Sequence, residues 1–152
     1  MTASAVSFAT RSRIHVGLGV TDLSRSVEFY RILLDMEPTK TRPGYAKFEP
    51  AEPPVNLALN QSREARPTAG THYGIQVKST EEVQSTASRL QAAGLEVRVE
   101  EKVSCCHAVQ DKAWVDDPDG NSWEVFVVLG DTERTSEPEG DGGPLCCTDS
   151  AC

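Results

Sequence analysis

His15-Val16-Gly17-Leu18-Gly19-Val20 and His72-Tyr73-Gly74-Ile75-Gln76-Val77 lie 57 residues apart and match at the histidine, the glycine two residues later and the closing valine. Each reads as an extended strand, whose alternation places His15, Gly17 and Gly19 together on one face. At the same offset Leu90 falls on Leu33. A pattern that returns at a fixed distance marks one structural unit used twice.

Outward from the first copy, Thr21-Asp22 offers helix caps, and Leu23, Val27, Tyr30, Leu33 and Leu34 recur at the spacing of an amphipathic helix. Strands are expected at 45–48 and 55–59, with turn chemistry at Arg42-Pro43-Gly44 and Glu52-Pro53-Pro54. The second copy predicts a helix over 80–93 stopped by Gly94, then strands near 96–101, 111–115 and 122–129. Asp117-Pro118-Asp119-Gly120 supplies the last turn. The expected fold is therefore α+β: two tandem βαβββ modules, about 13–61 and 71–129, forming a cupped mixed sheet with helices outside. Residues 1–12 are expected to be a flexible leader. Residues 130–152 are expected to be an acidic, disordered tail carrying Cys146, Cys147 and Cys152.

The 152 residues suffice for one domain, and 23 acidic against 15 basic residues give a formal charge of −8. Such a surface repels phosphate backbones and anionic lipid headgroups, so neither nucleic acid nor membrane is an expected partner. The N-terminal residues lack the apolar run of an export signal, which predicts a cytoplasmic protein. In that reducing setting the five cysteines read as metal-binding, reactive or buried thiols rather than as disulfides.

Repetition gives two of the histidines equivalent positions, so His15 and His72 are candidate ligands of one metal. In Ser122-Trp123-Glu124-Val125-Phe126 the carboxylate sits between two aromatic residues expected to point the other way, where an acid is costly without a cation. Glu124 is thus the natural third ligand. Two histidines and a carboxylate form the triad that leaves positions on Fe(II) open for oxygen and substrate. Against this stand a hydrogen-bonded structural role for each histidine and a surface role for Glu124. His107 remains an alternative ligand. The equivalent strand of the first copy, Val55-Asn56-Leu57-Ala58-Leu59-Asn60, has no acid, which favours three ligands over the four of a nickel or zinc site.

Between two strands of the second copy, Cys105-Cys106 is expected on a loop, where adjacent thiolates form a soft clamp for a thiophilic element. The alternative is one buried thiol with an incidental neighbour. Lys112 is either solvated or close enough to latch the loop and lower a thiolate pKa; Trp114 and Trp123 read as core. For Cys146, Cys147 and Cys152 an unstructured end is favoured over a mobile trap feeding soft ions to the fixed pair.

The plan with His15, His72 and Glu124 resembles the vicinal oxygen chelate superfamily. Arg42-Pro43-Gly44-Tyr45-Ala46-Lys47, Val55 to Gln61, Cys105-Cys106, Gln110-Asp111-Lys112, Asp116 to Gly120 and Trp123-Glu124-Val125-Phe126 look more narrowly like the non-haem iron carbon-arsenic lyases. The resemblance implies an Fe(II) dioxygenase that cleaves trivalent organoarsenicals to arsenite. His15, His72 and Glu124 would hold iron, and Cys105 and Cys106 would bind arsenic; apart from the resemblance, His107 and Lys112 are candidates for gating the loop because they lie beside it in sequence. His107 departs from the tyrosine expected in relatives. The alternatives are a non-catalytic protein that binds soft metals or metalloids, and a glyoxalase-type metalloenzyme. Oligomeric state is not legible.

Overall fold

The computed structural model describes residues 6–105 and 108–131. It forms two compact units, whose boundary in sequence falls between Arg66 and Pro67. Each unit is a βαβββ module with its own four-stranded mixed sheet, so the fold is α+β with tandem modules. Among the described residues no helix is long and apolar enough to cross a membrane. Cys106, His107, Cys146, Cys147 and Cys152 lie outside the described residues, as does most of the expected tail.

In the first unit β1 (Ile14–Val20) is followed by α1 (Leu23–Leu34), β2 (Lys40–Arg42), β3 (Tyr45–Phe48) and β4 (Val55–Gln61). The order across the sheet is β1-β4-β3-β2, with β1 parallel to β4 and the other pairs antiparallel. A parallel pair needs a crossover, and α1 with its following hairpin supplies it. Asp22 caps α1 by accepting the Arg25 backbone N–H at 3.1 Å, and Asp35 ends it in the left-handed region at φ 51°.

The buried stripe of α1 is Ser26, Phe29, Tyr30 and Leu33, while Leu23, Val27 and Leu34 are half-buried. Ser26 is tolerated because its hydroxyl donates to the Asp22 carbonyl at 3.0 Å. Tyr30 meets Phe29 edge-on at 5.0 Å and Phe48 at 6.3 Å. Leu18, Val20, Leu57 and Leu59 complete this core, each contributing about 1.5–3 kcal/mol on burial. The opposite side of β1 carries His15, Gly17 and Gly19 together, as the alternation predicted, and all three are exposed.

The second unit runs β5 (His72–Gln76), α2 (Thr80–Ala92), β6 (Arg98–Cys105), β7 (Ala108–Asp116) and β8 (Ser122–Asp131). Its order, β5-β8-β7-β6, repeats that of the first, with β5 parallel to β8. Ser79 caps α2, and Gly94 at φ 85° closes it while Leu95 N–H returns to the Leu90 carbonyl at 3.1 Å. Val83 and Ala87 of α2 pack on Ala113 and Val127, flanked by Val77 and Val97. Tyr73 and Trp123 stack at 4.9 Å.

Strands β6 and β7 are longer than expected. The ladder reaches Cys105↔Ala108, so Val103, Ser104, Ala108 and Val109, read as loop from sequence, are strand. One extra residue in β6, between Glu100↔Lys112 and Val103↔Gln110, allows the continuation. Lys102 lies at this bulge with φ 52°.

Candidate metal and substrate face

One face of the second sheet gathers the ionisable residues. His72 pairs with Ser122, Gly74 with Glu124, Trp114 with Glu124, Lys112 with Phe126 and Arg98 with Trp114. Residues paired across a ladder share a face, so these side chains stand together opposite α2. Phe126 is therefore on Glu124's side of the strand, since positions two apart alternate back to the same face; the sequence expectation that both neighbouring aromatics point away holds only for Trp123.

Glu124 is the centre of this group and only 5% exposed. Its Oε1 lies 3.4 Å from His72 Nε2, and its Oε2 lies 3.0 Å from Lys112 Nζ. That ammonium is at ion-pair distance but off hydrogen-bond geometry, because Oε2 is buried with no hydrogen-bond partner among the described residues. A buried carboxylate whose other oxygen lies beside an imidazole nitrogen is a donor set suited to a cation. The fit to a metal ion is thus favourable at Glu124 and His72.

Lys112, for which a solvated position was open from sequence, is buried. Its Nζ also stands 5.3 Å from the Trp114 ring centroid, and His72 meets the same indole edge-on at 5.5 Å. Trp114 donates its indole N–H to Glu100 at 3.2 Å, with the Arg98 guanidinium 5.6 Å from its ring. The core role expected of Trp114 accounts for its burial but not for this setting: it walls the face that carries His72 and Glu124. Its parity with Glu124 becomes visible only once the register is known.

Gly74 leaves the space that Glu124 fills. A Cβ there would stand 3.1 Å from Phe126 Cε1 and 3.2 Å from Glu124 Oε1, closer than side chains ordinarily approach. The repeated glycine therefore has a steric reason in this module. At Gly17, its equivalent, the nearest atom to a Cβ is His15 Nε2 at 4.0 Å, an ordinary contact.

His15 belongs to the first unit, where it is exposed and paired with Asn56. Its Nδ1 lies 3.0 Å from the Asn56 carbonyl. A carbonyl only accepts, so the ring proton of neutral His15 belongs on Nδ1 and the lone pair on Nε2, the form that binds a metal. Asn56, which sequence reasoning passed over, has a buried Oδ1 without a hydrogen-bond partner among the described residues.

The structure thus brings together His72 and Glu124 and adds Lys112 and Trp114. His15 has a ligand-competent tautomer within the first unit. No group of three His, Cys, Asp or Glu able to hold a metal ion occurs among the described residues. Cys105 is the last residue of β6 by its backbone.

Comparison with known proteins matches residues 13–125 to the Glyoxalase/Bleomycin resistance protein/Dioxygenase superfamily. A trivalent organoarsenical cleaving enzyme of Bacillus sp. (strain MD1) is 45% identical over 134 residues, covering 88% of this chain and 81% of that protein. A second protein so named, from Thermomonospora curvata, is 41% identical and covers 90% of this chain and 89% of its own. The cadmium-induced protein CadI of Mycobacterium bovis is 40% identical, covering 90% and 93%. Among solved structures, a glyoxalase/bleomycin resistance protein/dioxygenase from Nocardioides superposes with a TM-score of 0.63 at 24% identity, over 90% of this chain and 93% of that one. That likeness concerns the fold.

Proposed function

This chain belongs to the glyoxalase/bleomycin resistance protein/dioxygenase superfamily, and from that premise we propose that it cleaves the carbon-arsenic bond of trivalent organoarsenicals such as methylarsenite and trivalent aryl arsenicals, with Fe(II) and dioxygen. The observation that supports the reading is the buried Glu124 carboxylate, whose Oε1 lies 3.4 Å from His72 Nε2 while its Oε2 is held at ion-pair distance by Lys112. Relatives named for organoarsenical cleavage supply the substrate class.

His72 and Glu124, with His15 of the first module, would hold the iron. Fe(II), when bound, supplies the electrons that activate dioxygen. Glu124 would contribute a carboxylate oxygen to the metal, with Lys112 Nζ 3.0 Å from its Oε2 holding it in place. Trp114 bounds the face beside His72 and excludes water from part of it.

Cys105 and Cys106 would take the substrate itself. A trivalent arsenical would exchange its two hydroxyls for two cysteine sulfurs, each thiol proton leaving with a hydroxyl as water, and would retain its carbon substituent. The reacting bond is then held in place, which lowers the entropic part of the barrier by several kcal/mol, on the order of 7–11 at most. His107 and Lys112 remain the proposed gating residues, and the buried pairing of Lys112 with Glu124 gives that role a direct link to the acid. The proposal places this chemistry in the cytoplasm.

The test is arsenic speciation after the reduced protein is incubated with Fe(II), a thiol reductant and methylarsenite, with and without air. Arsenite formed only after air is admitted is the expected result; equal turnover without oxygen would sink the dioxygenase mechanism. A second reading, sequestration of a soft metal without turnover, is favoured by the CadI relatives. It predicts methylarsenite or cadmium bound in stoichiometric amount and no arsenite in either arm.

A further inference from the structure

The bulge in β6 decides which residues share a row. With the extra residue present, Glu100 stands opposite Lys112, Val103 opposite Gln110 and Cys105 opposite Ala108. A continuous ladder from Glu100↔Lys112 would instead bring Ser104 opposite Ala108, because a slip of one residue reverses the alternation of every position beyond it. Only the bulged strand keeps Arg98 and Glu100 in their rows with Trp114 and Lys112 while delivering Cys105 to the row of Ala108.

Something must hold this irregularity, since Lys102 sits there at φ 52°, where a residue with a Cβ is disfavoured. The holder is Asp111, the residue that the bulge faces. It is buried, and its Oδ1 accepts the Lys102 backbone N–H at 2.7 Å. Its Oδ2 accepts the Thr80 hydroxyl at 2.5 Å, from the first residue of α2. The same carboxylate thus satisfies the amide that the bulge takes out of the ladder and ties it to the helix on the opposite face from Glu124.

We propose that Asp111 is a positioning residue for Cys105: by holding Lys102 against Thr80 it locks the bulge that sets the Cys105 backbone in register with Ala108. Its effect on arsenic binding rests on the function proposed above; its effect on register does not. The carboxylate touches neither metal nor substrate.

The test uses the reduced, metal-free full chain with Cys146, Cys147 and Cys152 changed to Ser, so that only Cys105 and Cys106 can capture phenylarsenite. Two quantities are read: cross-strand backbone NOEs for the rows Glu100/Lys112 and Cys105/Ala108, and the affinity for phenylarsenite. In Asp111→Ala one of the two rows should be lost, and affinity should fall about a hundredfold as capture by two thiols becomes capture by one. Adding Lys102→Gly should restore both, because glycine adopts positive φ without the carboxylate's help, whereas it would not repair a general loss of packing. Should Asp111→Ala fail to fold, Thr80→Val removes one anchor while leaving the carboxylate and should give a smaller loss in the same direction. Both rows intact in the folded Asp111→Ala chain, or affinity that Lys102→Gly does not recover, overturns the proposal. Failure of the parent chain to bind phenylarsenite would overturn the role given to the cysteines, while the NOEs still decide the register.

Discussion

Lys112 Nζ lies 3.0 Å from Glu124 Oε2, and each side chain is only 7% exposed. Two charges are buried together, and neither is easily removed alone. Lys112→Met should leave an uncompensated carboxylate and cost about 3–5 kcal/mol of stability. The same variant should gain more from added divalent metal than the parent does, because the cation replaces the missing charge. Denaturant unfolding with and without metal measures both; an unchanged midpoint would show that the pair is not a stabilising element.

Glu124→Gln tests the acid as a ligand with little change in shape. Iron retained after gel filtration should drop to background, while stoichiometric capture of phenylarsenite by Cys105 and Cys106 persists. Unchanged iron content would remove Glu124 from the metal site.

Gly74→Ala puts a methyl group 3.2 Å from Glu124 Oε1 and 3.1 Å from Phe126 Cε1. Relieving that contact moves the carboxylate or the ring, at about 1–3 kcal/mol. Metal affinity and turnover should both fall. Gly17→Ala, with its nearest atom at 4.0 Å, should fall much less in either measure. Equal effects at the two positions would contradict the steric account.

Acid stability should depend on Glu49. Hydrogen bonding to Lys47, then to Thr39 and Arg13, lowers its pKa from 4.5 to about 2. The folded pKa is the depressed one, so this stabilisation is fully present above the unfolded value near 4.5 and is lost as pH falls from there through about 2. Its size is on the order of 2–3 kcal/mol. Glu49→Gln should therefore be less stable than the parent at pH 7 and close to it near pH 2, as read by denaturant unfolding across that range.

The architecture was legible because it rests on periodicity: paired His-x-Gly strands, the cap at Asp22 and the stop at Gly94 all act within a few residues. Strand ends were less so. Cys105 was read as loop because the bulge at Lys102 breaks the alternation that marks a strand, and what stabilises it arrives from Thr80 and Asp111, distant in sequence. Trp114, read as core, is buried, and Lys112 was left open between a solvated and a latching role. A lysine next to an aspartate reads as surface, and only the pairing of β7 with β8 shows that it faces Glu124. His72 and Glu124 were correctly brought to one face by the repeat and the alternation together.

Gly17 pairs with Ala58 in the first module as Gly74 pairs with Glu124 in the second. A duplicated module starts with identical rows, so each mismatch records divergence between the copies. The acid occupies this row in one copy and a methyl group occupies it in the other, while a histidine persists in both. Ala58 is buried in that row, so an acid introduced there would need a cation of its own, as Glu124 has in Lys112.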